Sequence, residues 1–171
     1  DLPFKHLDLI NGLVTTTRNI LEDGQKLLAH FFVVNTSTKV IRHMSQVQTC
    51  ESDKEIAAHA VRQIAAMENA DFVLMISEAW SLRTDKLAKI DEIYRKYGGI
   101  GNSPYKEDVC SFILQTDEGV WAAQPQIKPK GISKKKRTFG EVQFIKADRM
   151  DGRFADLLPT KPTCESPATP G

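Results

Sequence analysis

Glu78 is the residue best placed for chemistry. It follows five consecutive apolar residues, Phe72 to Ile76, and the polar Ser77, and it precedes Ala79 and Trp80. A short continuous apolar run reads as a strand buried on both faces. A carboxylate at the end of such a strand sits where α/β layers place their ligands. Partial burial there would raise its pKa toward that of a general acid or base. Glu78 is therefore the candidate catalytic residue of a hydrolase-like or ligand-processing enzyme, working with a spatially adjacent histidine or arginine. The plainer reading takes precedence: a glutamate leaving the sheet to pair with Arg42, Arg62 or Arg83. Ser77 lacks the G-x-S-x-G setting of an activated nucleophile. Trp80 either covers the mouth of a pocket beside Glu78 or simply packs.

The strongest polar feature is a run of cations. Lys128, Lys130, Lys134, Lys135, Lys136 and Arg137 fall within ten residues that contain no acid. The net charge of the whole chain is +1, so the rest carries −5. As a binding site, this loop would contact nucleic-acid phosphate or an acidic partner, with steep salt dependence. The sequence Lys134-Lys135-Lys136-Arg137 also matches a nuclear-localisation run. Aromatic residues do not alternate with the lysines, as single-strand stacking platforms require. A solvated hairpin loop, kept soluble by its charge, is the simpler expectation.

Metal and cofactor chemistry find less support. His6, His30, His43 and His59 are scattered, and none has a partner at close ligand spacing. One arrangement, His30, His43 and Glu78 assembled in space, would suit a metal; the spacing argues against it, and neither metal nor cofactor is expected. Cys50, Cys110 and Cys164 are odd in number and far apart. This fits a reducing compartment better than a disulfide framework. Cys110 lies in a strand pattern and reads as a small core residue. Gly98-Gly99-Ile100-Gly101 follows a helix and contains neither phosphate-loop signature, so it reads as a connection.

The elements that must position these residues follow from periodicity. With 171 residues, 41% hydrophobic and 26% charged, one folded domain is expected. No apolar run approaches the roughly 20 residues that span a bilayer. The N-terminus lacks a basic-then-apolar leader pattern, and a cytoplasmic location is expected.

A first helix is read over Pro3 to Glu22, with Asp1 as its cap. Strands over Lys26–Asn35 and Lys39–Gln48 form a hairpin, the second nearer a sheet edge. A second helix, 53–69, opens on a Ser52–Glu55 capping box. Its buried stripe is Ile56, Ala60, Ile64 and Met67, with Ala57 and Val61 at its border, and it leads into a strand over 71–79. That strand–helix–strand succession suggests a crossover. A third helix follows from Thr84 to Tyr97, stopped by Gly98-Gly99. The strands Asp108–Thr116, Gly119–Gln126 and Thr138–Ala147 complete a meander around the basic loop. Phe154, Leu157 and Leu158 dock one helical turn on the core. Residues 159–171, with four prolines, form a disordered tail.

The segment Val73-Leu74-Met75-Ile76-Ser77-Glu78-Ala79-Trp80, directly after an alanine-rich helix, resembles a group of small uncharacterised bacterial and phage proteins. Their apolar strand likewise ends in Ser-Glu-Ala-Trp. The resemblance extends loosely to Glu107-Asp108-Val109, to Gly119-Val120-Trp121, and to Gly152-Arg153-Phe154 with two following leucines. The helical insert Thr84 to Tyr97 departs from it. What the resemblance implies is a compact α+β domain of bacterial or phage origin, without an assigned activity.

The expected architecture is α+β: residues 1–158 form one domain with a mixed, largely antiparallel sheet of five or six strands. Two to three helices, among them 53–69 and 3–22, pack mainly on one face. The leading functional expectation is a non-enzymatic interaction protein, an accessory factor or inhibitor that acts on another protein through its surface. The enzyme built on Glu78 and the nucleic-acid binder built on 128–137 are its alternatives. Self-association as a homodimer also belongs among the expectations, and membrane partners do not.

Overall fold

The computed structural model describes residues 6–47, 50–148 and 150–160. The expected start of the first helix, with Asp1 as its cap and Pro3 in its first turn, and all of the Pro-rich tail beyond Thr160, lie outside them.

The fold is α+β, built on a six-stranded sheet. In chain order the elements are α1 (Leu7–Glu22), β1 (Ala29–Asn35), β2 (Val40–Gln46), α2 (Glu51–Met67), β3 (Phe72–Leu82), α3 (Ile90–Tyr97), β4 (Lys106–Thr116), β5 (Gly119–Ala123), β6 (Ile127–Pro129), β7 (Arg137–Phe139) and β8 (Ile145–Ala147). The sheet order is β2-β1-β3-β4-β5-β8, with every neighbouring pair antiparallel; β6 and β7 form a separate two-stranded ribbon. As β1 lies between β2 and β3 and opposes both, those two strands run the same way. The helix joining them, α2, is thus a crossover connection.

The apolar run Phe72–Ile76 does occupy the centre of this sheet, paired to β1 on one side and β4 on the other. Alternation along a strand sends successive side chains to opposite faces. Phe72, Leu74 and Ile76 join Ile10, Val14 and Leu21 of α1 in one cluster, with Phe112, Leu114, Trp121 and Phe139. Val73 joins Ala57, Val61 and Ala65 of α2 in the other, with Phe31, Val33 and Leu157. The two long helices therefore cover opposite faces, and the expectation that both lie on one face is corrected. A sheet whose central strand is apolar on both sides needs cover on both sides.

The buried stripe of α2 is also displaced by one residue. Ala57, Ala58, Val61 and Ala65 face the sheet, while Ile56 and Met67 are 64% and 83% exposed. Phe31 and the neighbouring Phe154 ring fill that side of the sheet, their centroids 5.5 Å apart. The small alanines let the helix approach them, which Ile56 and Met67 would not. Cys50, not Ser52, stands at the N-cap, and no side chain caps the helix there.

Thr84–Lys89 winds as a 3-10 turn before α3 begins, and Gly98, with φ of 78°, stops α3 as expected. Of the apolar side chains on α3, only Ile93 is buried. The expected strand 138–147 is two short ones: β7 ends at Phe139 within the ribbon it forms with β6, and β8 pairs with β5. Residues 150–158 cross the α2 side as a strap. Gln115 holds it, donating to the carbonyl of Phe154 at 2.6 Å and accepting from the amide of Leu157 at 3.0 Å. Arg62 donates to the carbonyls of Arg153 and Ala155.

Candidate functional site

The outer half of β3 brings the sequence candidates together. Beyond Ile76 the strand keeps its partner β4 as far as Leu82↔Lys106, but its ladder with β1 stops at His30↔Ile76. Glu78 and Trp80 emerge on the α1 face of this one-sided segment, and Ser77 and Ala79 on the α2 face.

Glu78 is held by Arg137. The guanidinium donates through Nη2 to Oε1 at 2.6 Å and through Nη1 to Oε2 at 3.2 Å. Both side chains are about one-third exposed. Pairing with an arginine is what the plainer reading anticipates, although the partner lies 59 residues away rather than at Arg42, Arg62 or Arg83. Arg42 binds Glu68, Arg62 binds the strap, and Arg83 binds Asp85. The pair raises the Arg137 pKa, chiefly through the hydrogen bond to Glu78. A carboxylate gripped by both oxygens has its acceptor sites engaged, which suits an anchor better than a proton carrier. Behind it, burial first and then Glu78 push the Cys110 thiol up to about 12, so this cysteine stays protonated in the core.

That ion pair roots the basic segment, which is not an open loop. Ile127–Pro129 pairs with Arg137–Phe139, and the amide of Lys130 donates to the carbonyl of Lys136 at 2.8 Å. Gly131 takes a positive φ of 62° to make the turn. The base is tied to the body at two further places. Glu22 of α1 accepts from Thr138 Oγ1 at 2.8 Å and from Lys130 Nζ at 3.1 Å. These bonds, that from Thr138 foremost, hold the Glu22 carboxyl below its usual range. Arg18 donates to the carbonyls of Phe139 and Gly140 and lies 4.7 Å above the Phe139 ring. Of the six cations, Lys130 and Arg137 are thereby engaged inward. Lys128, Lys134, Lys135 and Lys136 are exposed, and Ile132 projects fully from the tip. A concavity of about 390 Å³ between the hairpin and β4 is lined by Lys128, Lys134 and Arg137, with Asp108 on its far wall.

Trp80 is 58% exposed. Its ring rests on Gly101, where an added Cβ would stand 2.6 Å from ring atoms, and Lys106 Nζ lies 4.8 Å from the ring centre. It lines the rim of a cleft of about 790 Å³, which runs beside the outer half of β3.

Two of the three residues of the imagined metal set do meet. His30 Nδ1 and His43 Nε2 are 2.9 Å apart, with nearly parallel rings, and Phe32 stacks on His43. Burial, and then His43, lower the His30 pKa. Glu78 is not with them, and no cluster of three or more metal-ligating side chains occurs among the described residues. His6 is buried with its ring 4.3 Å from Phe72, and His59 is exposed on α2.

A hairpin loop is what the plainer sequence reading expects here; what it missed is the paired base, Ile127–Pro129 against Arg137–Phe139. The signal was there: Ile127 and Phe139 flank the lysines symmetrically and are both buried, with Gly131 between them. No helix among the described residues is long and apolar enough to cross a membrane. In comparison with known proteins, no family model, no curated protein and no solved structure matches this chain.

Proposed function

We propose that this chain is a non-enzymatic interaction protein that grips the phosphate backbone of a nucleic acid with the β6–β7 hairpin, as an accessory factor or inhibitor would. The observation that carries the reading is the Arg137–Glu78 pair. It engages the carboxylate best placed for catalysis and uses it to fix a cationic ribbon to the sheet. Four lysines remain directed at solvent on a projecting element, while the rest of the chain outside the basic segment is acidic. Lysines act as point charges toward phosphate and read no sequence, so binding of low sequence preference is expected.

Titration of a fluorescent 20-base-pair duplex at several salt concentrations tests this. Four phosphate contacts give a slope of about −3.6 in log K against log salt, or about a 150-fold loss between 50 and 200 mM. Serine at Lys134, Lys135 and Lys136 leaves one contact and a slope of about −0.9. Absence of salt-dependent binding by the parent chain would end the proposal. Binding that polyglutamate displaces and duplex does not would transfer the hairpin to an acidic protein partner.

A further inference from the structure

We infer that the cleft beside the outer half of β3 is a docking site for an extended peptide segment of a partner protein, which adds to the sheet as a strand in line with β1. The site is separate from the cationic hairpin tip.

Three observations converge. First, from Glu78 to Leu82 the strand is paired to β4 alone. Alternate backbone N–H and C=O groups on its other side point where β1 would lie if it continued. Among the described residues, no backbone hydrogen bond joins 78–82 to Lys26, Leu27 or Leu28, which line the opposite wall. A row of donors and acceptors at strand spacing is matched by one kind of ligand, another extended backbone.

Second, the space beside this edge admits a strand. A strand residue rises about 3.3 Å, lies about 4.8 Å from its neighbour and takes up about 10 Å of layer depth, or about 160 Å³. The cleft measures about 790 Å³ and is lined on β3 by Met75 and by Ser77 to Trp80, so several residues of an extended segment have room against the near part of the edge. Third, Trp80 stands at the rim with its ring held by Gly101 and Lys106. A rigid, half-exposed tryptophan is the commonest kind of anchor at a protein interface. On the other face the floor is Met75, Ser77 and Ala79, short enough beyond Met75 to admit alternate side chains of the incoming strand.

The geometry also selects among occupants. The edge lies between Lys26–Ala29 and the 150–154 strap, a setting that suits a single strand better than the edge of a second copy's sheet. The chain's own residues 161–171 have prolines at 162, 167 and 170, and no proline-free run among them exceeds four residues. Proline lacks the N–H that a ladder requires. A partner's segment of about five proline-free residues fits both conditions.

The test uses the full chain and a displayed library of random nonapeptides, followed by calorimetry on the tightest synthetic peptide. Micromolar binding is expected. N-methylation of that peptide should weaken binding at every second residue over a stretch of five and spare the residues between. Trp80→Ala should cost about tenfold or more in affinity. Ser77→Arg, which fills the floor, should abolish binding, while both variants keep the parent's circular dichroism and Tm. If no peptide binds below about 1 mM, the inference fails. It fails equally if N-methylation shows no alternation or if both variants bind normally. A concentration-dependent dimer that protects the amides of 78–82 would give the edge to a second copy. Faster exchange of those amides in a chain ended at Thr160 would give it to the tail.

Discussion

The two halves of β3 are one strand with two environments. From Phe72 to Ile76 it has a strand on each side and a helix over each face, and all but Met75 are almost fully buried. From Glu78 to Leu82 it has β4 alone, and it carries an ion pair and a half-exposed tryptophan. The inner half supplies stability by area removed from water, about 25 cal/mol for each Å² of apolar surface. The outer half buries less and presents more. What differs is where β1 ends, since β4 accompanies the strand to Leu82 unchanged. In this fold, the exposed ion pair and tryptophan of β3 lie where a neighbouring strand stops.

The contrast can be broken by substitution. Leu74→Ala, at the centre of the inner half, should cost about 3–4 kcal/mol, read as a lowered urea midpoint with unchanged slope. A loss below about 1 kcal/mol would mean that the inner half is not core. Arg137→Ala acts on the outer half: it releases Glu78 and one tie of the hairpin. As the pair is partly exposed, a loss of about 1 kcal/mol is expected in the same assay, with faster amide exchange across β6 and β7. Trp80→Ala should fall within about 1 kcal/mol of the parent, because most of that ring already faces water.

The smallest effect concerns His30, which pairs with Ile76 where β1 ends. Its folded pKa lies below the ordinary value of 6.5, from burial and from His43. For a base with a depressed folded pKa, the unfolded chain binds the extra proton first. Stability is thus complete above pH 6.5 and declines as pH falls from there toward the folded pKa. Tm measured from pH 8 to 5 should show this decline in the parent and less of it in His43→Gln, which removes the second imidazole. A Tm that rises on acidification through this range would contradict the assignment.

The inner half was legible because five adjacent apolar residues allow few structures. The strand's continuation from Trp80 to Leu82, beyond the expected end at residue 79, was not, since Ser81 and Arg83 look like a loop and only the long ladder with β4 shows otherwise. The face of α2 was misread because alanine contrasts weakly with its polar neighbours, so isoleucine and methionine drew the stripe toward themselves. Space beside Phe31 decided it instead. The crossover through α2 and the edge position of β2 followed from local pattern. The meeting of Arg137 with Glu78 depended on how the ribbon returns to the sheet, which no local spacing encodes.

Amide hydrogen exchange along β3, resolved residue by residue, separates its two halves. Slow exchange is expected throughout Phe72–Ile76. From Glu78 to Leu82 an alternation is expected: amides bonded to β4 slow, and those turned toward the cleft fast. Uniform protection through Leu82 would contradict it, because the outer half would then have a second strand partner after all.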